Sequence, residues 1–535
     1  MASMKNALDH IVKNIPKKDR DNPTVVFLLG QFEQQFEIIL TLKEQNQILK
    51  DEIARLKNQN PKPKIKPSKL PKDSKPNSSP KGSTPKKKKK KKTARLKIDK
   101  EERIAPEHIP EGSTFKGLKP YTVQGLKIVP FNTRYLLEQW QTPEGSIVAG
   151  KLPSHVDGHF DSVLKSFILY QYHHCHVTQP LICEQLQEWG IDISACQINR
   201  ILNEGKDQFH AEKDDILQAG LQSSAYINVD DTGARHNGKN GYCTHIGNEF
   251  FAWFKSTESK SRINFLELLG ADETAYLLNK DAFQYMIDAR LPKSSLALLQ
   301  ASQVTAFTDS ISWESHLNTI GIIKPRHMQI ATEGALLAGL LSHISRDLVI
   351  VSDDAGQFNI LSHSLCWVHA ERTLAKLIAP GAEKQEILDK VRQQVWDFYD
   401  ALKTYKENPS EKENVRLQNV FDDIFTQHTD FQLLNLALKR LHANKGELLL
   451  VLDRPEIPLH NNLSENDIRE YVKKRNISGS TRSEAGRKCR DTFASLKKTC
   501  RKLGISFWQF LNDRLSGNNL ISPLSQMVKQ HASPG

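Results

Sequence analysis

AYINVDDTGARHNGKNGYCTHIGNEFFAWFKST, residues 225–257, decides the architecture. Its first run, AYINVDDT, is short, apolar and β-branched, and it ends in two carboxylates. The Gly/Asn-rich stretch RHNGKNG supplies a turn, GYCTHIG a second strand, NE a second turn and FFAWFKST a third strand, so the segment reads as an antiparallel meander. Working outward, SRINFLELLG reads as a helix. After a long mixed stretch, DLVIVSDDAGQF (residues 347–358) gives a continuous apolar strand of the kind buried on both faces and again ends in paired aspartates. Strands and helices alternate, which predicts an α/β class.

The recurrence singles out Asp230 and Asp353, with Asp231 and Asp354 as alternates because each acid is one of a doublet. Acids that follow strands often serve as turn-formers or caps, so position alone does not make them a site. A third acid, Glu465, opens a helix in PEIPLHNNLSENDIREYVKKR (residues 455–475), where a capping carboxylate is the ordinary role. Dense Arg and Lys follow it: residues 469–502 carry 12 cations against Glu470, Glu484 and Asp491. Carboxylates beside a cationic track suit a nuclease, in which acids hold metal ions and cations hold the phosphate backbone. Two divalent ions roughly 3.5 to 4 Å apart, Mg²⁺ or Mn²⁺ on hard oxygen ligands, can activate the attacking oxygen and stabilise the departing one. Arg469, Lys473, Lys474, Arg475, Arg482, Arg487 and Arg490 are the candidates for contact with the DNA backbone.

The rest of the chain sets the context. Of the net charge of +12, residues 61–92 alone hold 14 Lys against Asp73, so the remainder is close to neutral and basicity is local. Prolines and like charges in that stretch predict a disordered linker that binds phosphates non-specifically. Before it, Phe32, Ile39, Leu42, Asn46, Leu49, Ile53 and Leu56 fall at alternating three and four spacings, the seam of a short coiled coil that would make a homo-oligomer. VTQPLICEQLQEWGIDISACQINRIL reads as helix, turn at Gly190, helix, and is compatible with a helix-turn-helix that contacts DNA. The run from His173 to His176 cannot close one tetrahedral metal site, because consecutive side chains diverge. Seven scattered cysteines without a CxxC pair predict reduced thiols. No apolar run approaches a membrane span, and the chain is expected to be cytoplasmic, nucleoid-associated and without membrane partners.

At VDDTG, SDDAGQF, CWVHAER and RPEIPLHNNLSENDIR the sequence resembles transposases of the insertion-sequence-66 family, over most of residues 30–515. The resemblance implies a DDE-type catalytic core of RNase H-like fold, a mixed sheet flanked by helices, with Asp230, Asp353 and Glu465 as the metal-binding carboxylates. It implies cleavage at transposon ends and strand transfer into target DNA, with other proteins encoded by the same element as candidate partners. The long separation between Asp353 and Glu465 is explained by a helical insertion. CWVHAER, with Cys366, His369 and Arg372, opens that insertion; His369 is expected to have a packing role. Relatives carry a cysteine-rich zinc module before the core, but residues 93–150 hold no cysteine, so no zinc is expected. Asp309 is a weaker competitor for the second acid.

The expected domains are a coiled coil at 1–60, a disordered basic linker at 61–100, a mostly helical region at 101–220 and a first core segment at 221–365. A helical insertion at 366–455, a final core segment at 456–520 and a tail at 521–535 complete them. The rival function is a DNA-binding protein without catalysis.

Overall fold

Period-two alternation and a Gly/Asn turn make residues 225–257 a sheet, and the computed structural model shows three strands there. It describes residues 97–153, 156, 158–271, 274–379 and 381–532. The expected coiled coil at 1–60 and the linker up to residue 96 lie outside them. The chain divides between Gln124 and Gly125 into two units. In the first, the described residues 97–124 form no helix or strand, and Arg103 stacks over Phe115 with 5.2 Å to the ring centroid.

The second unit opens on a small hairpin, β1 (Gln139–Gln141) and β2 (Ile147–Ala149). Four helices follow: α1 (Ser162–Leu169), α2 (Gln179–Glu188), α3 (Ala195–Asn203) and α4 (Asp207–Ser223). Between α2 and α3 the chain turns at Gly190, whose φ of +80° is the left-handed region that glycine adopts freely. Ser194 begins α3 with a capping box to Gln197. Leu186 and Ile198 are buried there, but Leu181 is exposed and Leu202 takes a core place.

The main sheet contains β3 (Tyr226–Gly233), β4 (Tyr242–Gly247) and β5 (Ala252–Thr257), an antiparallel meander. After it come α5 (Arg262–Gly270), β6 (Tyr276–Leu277), α6 (Lys280–Asp288), α7 (Lys293–Gln300), β7 (Ala306–Phe307), α8 (Ser310–Thr319) and α9 (Pro325–Leu340). The chain then re-enters the sheet through β8 (Val349–Ser352), which lies parallel to β3, and β9 (Ser362–Leu365), parallel to β8. The order is β5-β4-β3-β8-β9, a five-stranded mixed sheet. β8 is buried along its whole length, as its unbroken apolar run requires.

Beyond β9 the chain is helical: α10 (Trp367–Ala375), α11 (Ala382–Glu407), α12 (Glu411–Phe425), α13 (Gln432–Ala443) and α14 (Lys445–Leu448). These helices share a core in which Trp367, Phe398, Phe421 and Phe425 pack against Val349 and Val351 of β8. The other face of the sheet, including Ile227, Val229 and Ile350, joins a second core. The chain ends in α15 (Asn462–Ser478), α16 (Glu484–Lys502), α17 (Phe507–Leu515) and α18 (Leu524–Ala532). Among the described residues no helix is long and apolar enough to cross a membrane.

α16 caps the edge of the sheet. The backbone N–H groups of Ala252, Phe254 and Ser256 on β5 donate to Thr499 Oγ1 (3.1 Å), Ser495 Oγ (2.9 Å) and Asp491 Oδ2 (2.7 Å). A helix climbs about 6 Å in four residues and a strand about 7 Å in two, so an i, i+4 stripe matches alternate edge donors. The edge that would otherwise be open to another strand is thereby satisfied.

Candidate active site

On β3 the side chains alternate between faces, so the two aspartates of the doublet point to opposite sides of the sheet. Asp231 is fixed by Thr244 Oγ1, which donates to it at 2.5 Å, and by Gln357 Nε2 at 3.0 Å. Asp230 lies on the face covered by α15 and, among the described residues, accepts only from the Asp231 N–H, at 2.8 Å. On β8 the register pairs Tyr226 with Val349 and Asn228 with Val351. Asp353 comes directly after Ser352, the last residue of β8, and its charge acts on Asp230. Asp354 turns away to an ion pair with Arg440. In each doublet the second acid is thus tied down and the first is left facing its neighbour.

The third acid arrives on α15, and Asn461 positions that helix. Its side chain is fully buried, donates to Val229 O at 2.8 Å and accepts from Asn228 Nδ2 at 2.9 Å. Its own N–H donates to Cys366 Sγ at 3.1 Å, and its carbonyl accepts from the Glu465 N–H at 3.1 Å. One residue therefore joins the strand of Asp230, the start of α10 and the first turn of α15. His245, the cross-strand partner of Asp230, adds a second tie from Nδ1 to Ser464 Oγ at 2.6 Å.

The charges of Asp353 and Glu465 both act on Asp230. Burial pushes the Asp230 carboxyl up to about 7, and the charges of Asp353, Asp231 and Glu465 add to it against the Asp231 N–H bond. Glu465 Oε1 stands 3.1 Å from Arg372 Nη1 and 3.6 Å from His369 Nε2, both from α10. Burial lowers the His369 value, as does Arg372, while Glu465 and Asp353 oppose them. The packing role expected of His369 understates its position, since its ring borders the carboxylates. Among the described residues no group of three or more His, Cys, Asp or Glu side chains is gathered closely enough to hold a metal ion as it stands. Glu465 is instead paired with a resident cation, Arg372. Crowded carboxylates, one of them raised toward neutrality, nevertheless fit a site built for added positive charge.

Asp309 is an exposed N-cap that accepts from the Ser312 N–H at 2.8 Å at the start of α8, and it has no place in the main sheet.

The basic segment needs correction. Lys474 is buried, donates to Tyr172 O at 2.7 Å and lies 3.4 Å from the centroid of that tyrosine ring. Arg490 is buried and donates to Gly479 O at 3.0 Å and Ser478 Oγ at 3.1 Å. Both side chains are thus engaged within the protein, although Arg490 also borders a cleft lined by Arg235, Lys239 and Arg487. Arg475 is spent on Gly233 O and on Thr232 Oγ1 at 3.3 Å. Lys497 and Lys498 pair with Glu470 at 2.8 and 2.7 Å, and Lys502 pairs with Asp467 at 2.8 Å. Much of the positive charge therefore fastens α16 to α15 instead of forming a track. Lys473 and Arg482 are exposed. Arg469 is exposed beside Asn466, and Arg487 pairs with Glu484 at 2.9 Å. Arg487 also lines that cleft, of about 420 Å³, with His236 and with Arg235 and Lys239 of the β3–β4 turn, two cations that the sequence pattern marks only as turn residues.

A mixed α/β sheet that collects acids at the end of its central parallel strands defines the class of molecule. Against known proteins, the family model for the IS66 family of transposases matches residues 332–489, which hold Asp353 and Glu465. A relative from Sinorhizobium fredii (strain NBRC 101917 / NGR234), named Uncharacterized protein y4jO, is 43% identical over 321 residues, 59% of this chain and 100% of that protein. The chain belongs to the IS66 transposase family.

Proposed function

We propose that this protein is a DDE-type DNA transposase of RNase H-like fold, which cuts transposon ends and joins them to target DNA with Asp230, Asp353 and Glu465 as its metal-binding carboxylates. The observation that supports the reading is the register: β8 runs parallel to β3 with Val351 beside Asn228, Asp353 follows β8 directly, and Asn461 pins the helix of Glu465 against β3, the strand that carries Asp230. Two Mg²⁺ or Mn²⁺ ions bound there would activate the attacking oxygen and stabilise the leaving one.

The residues themselves have separable tasks. Asp230 and Asp353 would supply hard oxygen ligands from a rigid sheet, a more exact placement than a loop gives. Glu465 would complete the set from a helix whose first turn is locked by Asn461 and Ser464. Asp231 and Asp354, held by Thr244, Gln357 and Arg440, act as supports. Phosphate contact falls to the exposed cations Arg469, Lys473 and Arg482, joined by Arg235, Lys239 and the half-buried Arg487 on the cleft.

A labelled transposon-end duplex incubated with the full chain, Mg²⁺ or Mn²⁺ and the other proteins of the same element tests this. Metal-dependent nicking that disappears in Asp230→Asn, Asp353→Asn and Glu465→Gln while duplex binding persists supports it. Binding by the wild type with no nicking under any of these conditions favours a non-catalytic DNA-binding protein.

A further inference from the structure

We infer that Arg372 is an exchangeable counter-cation: it neutralises Glu465 while the carboxylates hold no metal, and turns to a phosphate oxygen of the DNA strand once a metal takes Glu465. This rests on the metal-dependent reading above and assigns a phosphate-contacting residue that the sequence reading did not.

The helix that carries Arg372 is firmly set. The Trp367 N–H donates to Leu459 O at 3.0 Å, Trp367 Nε1 to Leu448 O at 3.0 Å, and the Asn461 N–H to Cys366 Sγ at 3.1 Å. α10 therefore holds its place beside α15, and any change at Arg372 is a rotation of the side chain. That side chain is 46% exposed and is held through one nitrogen: Nη1 donates to Glu465 Oε1 at 3.1 Å and to His369 Nε2 at 3.2 Å. A guanidinium has five N–H donors. Among the described residues Nε and Nη2 of Arg372 make no hydrogen bond to the protein. An end-on, half-exposed pair of this kind is weak, so Glu465 would leave it readily for a divalent ion held by the carboxylates. The freed fork then sits beside the place where the scissile phosphate would lie, and its geometry matches two phosphate oxygens. His369 Nε2 remains as an acceptor that keeps the guanidinium near.

The test is calorimetric titration of Mn²⁺ into the full chain without DNA, for wild type, Arg372→Gln and Arg372→Lys, with thermal melting of each as the check on folding. Removing the competing cation should tighten Mn²⁺ binding in Arg372→Gln by roughly twofold to fivefold, the range of a partly exposed ion pair. The same variant should nick the end duplex roughly 100-fold more slowly, the loss typical of one positioned donor. Arg372→Lys should restore the wild-type Mn²⁺ affinity and only part of the nicking. Wild-type Mn²⁺ binding with unchanged or weaker affinity in a folded Arg372→Gln overturns this inference alone. Absence of Mn²⁺ binding in the wild type overturns the metal-dependent reading beneath it.

Discussion

Strand alternation separates residues that the sequence places side by side. Asp230 and Asp231 are adjacent in the chain yet face opposite sides of β3, and Asp231 is the one bonded to Thr244 and Gln357. Asp230→Asn should abolish metal-dependent nicking. Asp231→Asn should keep measurable nicking and lower the melting temperature, because the buried hydroxyl of Thr244 loses its charged acceptor, a loss of about 1 to 3 kcal/mol. Parallel nicking assays and melts of the two variants check the pair. Nothing in the sequence says which member of a doublet faces the covering helix, since that depends on where α15 lands. Asn461 was hidden for the same reason. The Asn-Asn-x-x-Glu block could be quoted, but the bonds of Asn461 to residues 228, 229 and 366 need the folded chain.

Two elements, α15 and α16, hold the site from behind, and charge is their fastening. Burial opposes ionisation of Glu470, but Lys497 and Lys498 hold its carboxyl down to about 2. A carboxyl lowered on folding contributes stability that is fully present above its unfolded value, near 4.5, and is lost as pH falls toward 2. Glu470→Gln should therefore lower the melting temperature at neutral pH and flatten its decline between pH 4.5 and 2, a difference seen by melting both proteins across that window. The stripe that caps β5 makes a second prediction: Ser495→Ala leaves the Phe254 N–H unpaired in the core and should cost about 1 to 3 kcal/mol by chemical denaturation. The strands of the meander and β8 were legible because their periodicity is local. The role of α16 was not, because a run of Lys and Arg normally marks a solvated face, and here the neutralising acids Asp467 and Glu470 come from another helix. The i, i+4 spacing of Asp491, Ser495 and Thr499 was the signal available, a polar stripe on a helix too charged to be read as buried.

For the whole molecule, the arrangement divides labour between a structured centre and a basic segment remote from it in sequence. Residues 61–92 hold 14 Lys, and under the proposed function their charge would attract DNA without sequence preference. Replacing Lys86 to Lys92 with Gln should reduce the steepness with which DNA affinity falls with salt, by up to about 0.9 in log–log slope per lost phosphate contact. It should leave Mn²⁺ affinity unchanged, which binding titrations at several salt concentrations would check. The α/β class followed from the alternation of strands and helices. The resident Arg372 on Glu465 did not, because a helix-borne arginine reads the same whether it faces solvent or an acid.

The central claim is that Asp230, Asp353 and Glu465 form one metal centre. The most direct measurement is an anomalous-scattering map from crystals of the protein grown with Mn²⁺. The account predicts manganese between Asp230 and Asp353, with Glu465 turned to it and Arg372 released. Manganese absent from that position at saturating concentration, with Arg372 still on Glu465, would contradict it.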